Sequence, residues 1–100
     1  MSTNQELILC QTPSPGKKPT RIPKWKYDLI HDAVLRLLKG HKEGLEFREL
    51  SHMIQGIMDP KAIKEMGSLP WYTTHVKLDM EVRGDIRRVP GSNPQRLVIG

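Results

Sequence analysis

The sequence predicts one small α+β domain that is mostly helical, with three helices and a β-hairpin at the C terminus. Three observations predict it. Apolar residues recur at three- and four-residue spacing in three segments, as on the buried side of a helix. Glycine and proline mark the ends of these segments. Two short apolar runs close the chain around a Pro/Gly/Asn turn. A chain of 100 residues has room for one such domain and one modest core.

The first 23 residues form a separate segment ahead of the domain at residues 24–100. Residues 7–10 are apolar and partly β-branched, residues 12–16 are rich in proline and glycine, and residues 20–22 could return beside the first run. These features favour an N-terminal β-hairpin. A flexible basic arm is the alternative.

The first predicted helix runs from about Lys24 to Lys39, and Gly40 is expected to end it in a left-handed conformation. A very short extended segment follows at residues 45–47. The second helix is predicted from about Arg48 to Met58, because proline at the next position but one cannot continue its hydrogen bonds. Residues 61–66 are expected to add one extra turn.

The third helix has the clearest predicted boundaries. Ser68 is a candidate N-cap, Pro70 lies in the first turn, and Gly84 stands just past the end. Its apolar residues form two stripes on roughly opposite sides. One stripe is expected to face the core, and the other needs cover from the N-terminal hairpin, the C-terminal hairpin or another subunit. The stripes are Tyr72, Val76 and Met80, and Trp71, Leu78 and Val82.

The C-terminal hairpin is predicted from residues 86–89 and 95–99, joined by the turn at residues 90–94. The join before it, residues 76–88, resembles the V-x-x-x-L-x-x-x-G-x-I-x-R run of bacterial winged-helix regulators. Val76, Met80, Gly84, Ile86 and Arg88 occupy the matching places. The resemblance implies a winged helix-turn-helix, in which the C-terminal hairpin is the wing.

A closer resemblance covers most of the chain. The run Lys26-Tyr27-Asp28, the pair Trp71-Tyr72 and residues 76–81 are similar to a family of short bacterial proteins with no assigned function. This resemblance implies a fold and leaves the function open. The nine-residue connection at residues 59–67 is longer than the turn of a compact helix-turn-helix.

Positive charge makes double-stranded DNA the first expected partner. The net charge is +5, and up to Lys26 there are five basic residues and only one acid. A winged helix would place its third helix in the major groove and its wing on the backbone. The expected contacts are Thr73, Thr74 and Lys77 on the helix, Arg87, Arg88 and Arg96 on the wing, and Lys17, Lys18 and Arg21 on the arm.

Plainer interpretations accompany these contacts. Polar residues keep a surface helix soluble, and arginines on exposed strands block edge pairing. Trp71 and Tyr72 are expected to be core anchors more often than binding residues. The alternative function is a protein-interaction module, as a homodimer or a subunit of something larger, with Trp71, Leu78 and Val82 at the interface.

The sequence argues against catalysis. Its four histidines show no paired ligand spacing, its one cysteine cannot build a structural zinc site, and it has no glycine-rich phosphate loop. We therefore expect no enzyme activity, no cofactor and no metal. The longest apolar stretches are too short for a membrane span, and the start of the chain lacks a signal peptide pattern. A cytoplasmic location is the expectation.

Overall fold

A computed structural model describes residues 6–14 and 16–100. The chain forms a compact α+β structure, about half helical, with small antiparallel sheets. In the described residues, four helices lie among five short strands. In chain order these are β1 (Leu7–Cys10), β2 (Thr20–Pro23), α1 (Lys24–Lys39), β3 (Leu45–Glu46), α2 (Phe47–Ile57), α3 (Pro60–Met66), α4 (Leu69–Arg83), β4 (Ile86–Arg88) and β5 (Arg96–Ile99).

The N-terminal segment is a β-hairpin. Strand β1 pairs antiparallel with β2, so that Leu7 lies opposite Pro23 and Cys10 opposite Thr20. Cys10 and Ile22 are buried and belong to the same core as the helices, since the hairpin packs on α1 and α4. The paired strands at residues 7–10 and 20–23 therefore share the core of the helices.

Helix α1 has the predicted bounds, but the expected left-handed cap at Gly40 is wrong. Gly40 is right-handed, with φ −83°, because the chain continues the last turn. The Gly40 and His41 amides donate to the Leu37 and Leu38 carbonyl oxygens at 3.2 and 3.1 Å. Gly44 supplies the left-handed residue instead, with φ +92°.

The expected extra turn after α2 is a helix of its own, and this changes the helix count from three to four. The side chain of Asp59 accepts from the Lys61 amide at 3.0 Å, and Pro60 begins the helix with a favourable fixed φ. Its last residue, Met66, is fully buried and holds the short helix against the core.

Helix α4 begins and ends as predicted. The Ser68 hydroxyl accepts from the Trp71 amide at 3.3 Å, and Gly84 is left-handed with φ +83°. The helix lies against α1 and α2, with Val76 and Met80 fully buried. This side of α4 is the predicted core stripe.

The C-terminal hairpin belongs to a three-stranded sheet with the order β3-β5-β4. Leu97 of β5 lies opposite Leu45 of β3 and Arg88 of β4, and Leu97 is fully buried. The sheet thus connects the chain ahead of α2 to the chain that follows α4. Among the described residues, no helix is long and apolar enough to cross a membrane.

Candidate functional site

Two of the three residues predicted to contact DNA from α4 are in the interior. Thr73 is 1% exposed and Lys77 is 2% exposed, so the expected polar arc is wrong at these positions. They lie on the side of α4 that packs on the start of α2, where the Lys77 ammonium stands 4.5 Å from the centre of the Phe47 ring. Neither side chain lies on the outer surface of α4.

Lys77 is held by an ion pair within the helix. Its Nζ lies 2.8 Å from Glu81 Oε2, and the Glu81 side chain is itself only 9% exposed. Burial lowers the pKa of Lys77 because it penalises the charged form, while the Glu81 carboxylate opposes that shift. Arg88 also donates to Glu81 from β4, so one carboxylate joins α4 to the C-terminal hairpin.

Thr74 is the remaining member of the predicted helix contacts, and it is half-buried. Its hydroxyl donates to the Pro70 carbonyl oxygen at 3.0 Å, a bond within the helix. The Thr73 hydroxyl differs, since it is enclosed and has no hydrogen-bond partner in the described part of the chain.

The closeness of the three wing arginines in the sequence predicts that they form one patch. The structure separates them instead. Arg88 points to α4 and Glu81, whereas Arg96 donates to the Gly44 carbonyl oxygen at 2.9 Å and lies 3.7 Å from a Glu46 oxygen. Arg87 lies on the opposite face of β4 from Arg88, because successive strand residues alternate. Of the three wing arginines, only Arg87 has no ion-pair partner among residues 6–14 and 16–100.

Arg87 joins other basic residues in a depression between the end of α1 and the C-terminal hairpin. The cavity volume is about 340 Å³, and none of the described residues that line it is acidic. We call its polar lining the basic groove: Lys39, His41, Lys42 and Arg87. The His41 ring is fixed by a 2.8 Å contact between Nδ1 and the Leu37 carbonyl oxygen. Arg36 lies next to Lys39 in an adjoining depression.

The predicted arm contacts are exposed. Lys17 and Lys18 lie in the connection between β1 and β2, and Arg21 lies on β2. Nothing brings them into the lining of the basic groove, which is built from α1, the turn after it and the C-terminal hairpin. They form a second basic region on a different element.

The second apolar stripe of α4 is at the surface. Trp71 is 46% exposed and Val82 47% exposed, while Leu78 is half-buried. The expectation that Trp71 is a core anchor is therefore wrong. Its ring packs instead on neighbours of the same helix, 4.9 Å from the Tyr72 ring and 4.1 Å from the His75 ring. We call Trp71, His75, Leu78 and Val82 the outer stripe.

The sequence pattern gave no sign of the buried carboxylate of Asp79. It is 0% exposed and accepts from three donors on three elements. These are the Tyr27 hydroxyl at 2.6 Å, the Arg83 guanidinium at 2.6 Å and the Gln11 amide at 2.9 Å. The carboxylate therefore ties the N-terminal hairpin, α1 and α4 together, and burial together with this contact raises the pKa of Tyr27.

Cys10 lies beside this group. Burial, and to a lesser degree the Asp79 charge, raises the pKa of the Cys10 thiol to about 12. A thiol with such a pKa is not a nucleophile at neutral pH. Within residues 6–14 and 16–100, no three His, Cys, Asp or Glu side chains are placed to hold a metal ion.

Lys26, a residue of the closer resemblance, contacts another of its motif residues, Tyr72. Its ammonium donates to the Met66 carbonyl oxygen at 2.9 Å and to the Tyr72 hydroxyl at 3.1 Å. Its neighbour Tyr27 reaches Asp79. The two N-terminal motif residues thus connect α1 to α3 and α4, and their roles are structural.

In a comparison with family profiles, residues 7–97 match the Family of unknown function (DUF6958). The chain belongs to this family. The match begins at the first residue of β1 and ends within β5. Comparisons with curated proteins and with solved structures gave no match.

Proposed function

We propose that the chain is a non-enzymatic, cytoplasmic winged-helix protein that binds the backbone of double-stranded DNA through the basic groove. The C-terminal hairpin has the place of the wing, and α4 has the place of the third helix. In this proposal α4 reads no bases, since Thr73 and Lys77 are buried and the outer stripe is apolar. Specificity for sequence is therefore low.

The observation that carries the proposal is the composition of the groove. Lys39, Lys42 and Arg87 bring three positive charges to one depression without an acidic residue in its lining. Each phosphate neutralised by such a side chain releases condensed counterions, so binding weakens steeply with salt. The arm residues Lys17 and Lys18 supply a second phosphate contact.

A purely structural explanation competes with this one. Arg36 and Lys39 lie in the last turn of α1, where the helix dipole favours positive charge. That explanation does not extend to Arg87, which comes from a strand. A test must therefore include Arg87.

Fluorescence anisotropy of a labelled random-sequence duplex tests the proposal. At low salt the wild type binds, and the Lys39→Ala/Arg87→Ala variant binds about tenfold more weakly with a flatter salt slope, lower by about 2. The control, Lys61→Ala/Lys64→Ala, removes the same charge from the exposed face of α3 and leaves the slope almost unchanged. Absence of binding at low salt refutes the proposal, as does an equal loss in both variants.

Arg88 provides a second control within the same strand. Because it is already paired with Glu81, Arg88→Ala leaves the salt slope close to that of the wild type, whereas Arg87→Ala lowers it by about 1. Equal salt slopes for the two single variants would contradict a specific role of Arg87 in binding DNA.

The outer stripe favours a second candidate function, self-association. Its residues, at positions 71, 75, 78 and 82, are separated by four, three and four positions. This spacing is typical of the contact line between two packed helices. An antiparallel copy of α4 would place the same stripe against itself, with Leu78 near the centre. This arrangement is closed and two-fold symmetric.

Light scattering over a range of concentrations tests this second candidate. Leu78→Asp shifts a wild-type dimer to the monomer and leaves the helical signal intact. Leu29→Asp, at an exposed apolar position of α1, is the matched control and leaves the dimer in place. A wild type that stays monomeric at high concentration eliminates this candidate.

A further inference from the structure

A small cleft lies between the first turns of α2 and α4, away from the basic groove. Its volume is about 180 Å³, and its walls hold three hydroxyl groups and one guanidinium. The lining is Phe47, Arg48, Ser51, Pro70, Thr73 and Thr74. The groups come from two helices, α2 and α4.

Thr73 is the unusual member of this lining. The residue is 1% exposed, and its hydroxyl has no hydrogen-bond partner within the described residues. A buried hydroxyl without a partner costs free energy, and each such group requires an explanation. Thr74, one position along the same wall, already uses its hydroxyl on the Pro70 carbonyl oxygen. The Thr73 hydroxyl is therefore available to donate to a ligand, whereas the Thr74 hydroxyl is already bonded.

The remaining groups favour an anion with several oxygens. Ser51 adds a hydroxyl. The first turn of α2 has no side-chain cap, and its first amide, that of Phe47, donates to the Gln95 carbonyl oxygen at 2.8 Å. The Arg48 Nε donates to a Glu46 oxygen at 2.8 Å, and the Arg48 side chain is 67% exposed. Its terminal nitrogens make no hydrogen bond or ion pair with the described residues. The acid in this turn of α2, Glu49, is exposed and does not line the cleft.

We propose that this cleft binds a phosphate group, which the Thr73 and Ser51 hydroxyls and the Arg48 guanidinium hold. A tetrahedral oxyanion matches donors that converge from two helices, and the positive end of α2 adds to the attraction. The phosphate belongs either to a small phosphorylated molecule or to the backbone of DNA. The proposal does not depend on the basic groove.

Thermal unfolding in inorganic phosphate, compared with chloride at equal ionic strength, tests the site. A ligand that binds only the folded state raises Tm, by roughly 5 °C at a concentration about tenfold above Kd. Thr73→Val keeps the shape of the side chain and removes the unpartnered hydroxyl, so it abolishes most of this shift. Thr74→Val is the matched control in the same wall and retains the shift.

Arg48→Gln is a second test of the site. Because Arg48 is exposed, the variant should fold, and its phosphate-specific rise in Tm should be smaller than that of the wild type. It decides the outcome where Thr73→Val does not fold by circular dichroism. The proposal is overturned by a wild type whose Tm is the same in phosphate and chloride, or by a shift that survives in both Thr73→Val and Arg48→Gln.

Binding of the labelled duplex by Thr73→Val then identifies the source of the phosphate. A loss of about threefold or more in affinity assigns the cleft to a backbone phosphate. Unchanged affinity, with the inorganic phosphate shift lost, assigns it to a small phosphorylated molecule. Failure of duplex binding in the wild type would remove the DNA proposal and leave the phosphate shift to be judged separately.

Discussion

The two sides of α4 differ in an unusual way, because the buried part of the helix carries charged residues beside its apolar ones while the outer side exposes apolar residues. The inner side buries charged residues, with Lys77 and Asp79 almost without solvent exposure. The outer side exposes Trp71 and Val82 by nearly half. Each buried charge has a partner, Glu81 for Lys77 and the Arg83 guanidinium for Asp79, so the interior stays electrically balanced.

This difference shows where the specificity of the fold resides. Buried ion pairs gain little net stability over apolar residues, but losing one partner is expensive. The inner side of α4 therefore fixes which elements dock and in what position. The outer side contributes little to that positioning and is free to contact another molecule. Substitutions on the inner side should accordingly have much larger effects on stability.

The largest effect is expected for Asp79→Ala. The change leaves the Tyr27 hydroxyl and the Gln11 amide without their acceptor, and it should lower the free energy of unfolding by about 4 kcal/mol. Urea denaturation measures this loss. Asp59→Ala, which removes only a helix cap, serves as the control at about 1 kcal/mol. A loss for Asp79→Ala no larger than that of the control would contradict the role of this carboxylate.

An intermediate effect is expected for Glu81→Gln, by about 2 to 3 kcal/mol, because Lys77 then lacks its counter-ion in the interior. Adding Lys77→Met to this variant removes the unpaired charge and should recover most of the loss. Urea denaturation of the single and double variants measures the recovery. Without recovery, burial of the Lys77 charge would not be the source of the cost.

The smallest effect is expected on the outer side, from His75. Partial burial lowers its pKa from the ordinary value of 6.5, so the folded protein releases this proton at lower pH than the unfolded chain does. Between the lowered value and 6.5 the unfolded state binds more protons, and stability therefore falls as the pH drops through that interval. His75→Gln should flatten this part of the stability curve slightly. An unchanged curve would show that His75 makes no contribution.

Local signals in the sequence predicted much of the fold. The bounds of α1 and the caps of α4 at Ser68 and Gly84 depend on residues close together in the chain, and the structure has them as predicted. The residues after Asp59 are predicted as one extra turn, and the structure has a separate seven-residue helix there, which Asp59 caps and the buried Met66 anchors. The winged-helix interpretation stays a proposal.

The surface was harder to predict, because burial depends on elements that are distant in sequence. Nothing near Lys77 shows that the Phe47 ring of α2 covers it. Likewise, the acceptor role of Asp79 involves a residue 68 positions away. The separation of Arg87 from Arg88 was predictable, since neighbours on a strand point to opposite faces. The basic groove follows from that alternation together with the end of α1.

The attachment of the N-terminal hairpin has a consequence for how the chain tolerates change. Asp79 accepts from the backbone amide of Gln11, so the identity of the side chain at that position is irrelevant to the bond. The number of residues between β1 and this bond does matter. An insertion beside Cys10 would move the Gln11 amide away from the Asp79 carboxylate and shift the buried thiol. At this junction, spacing along the chain is constrained and composition is permitted to vary.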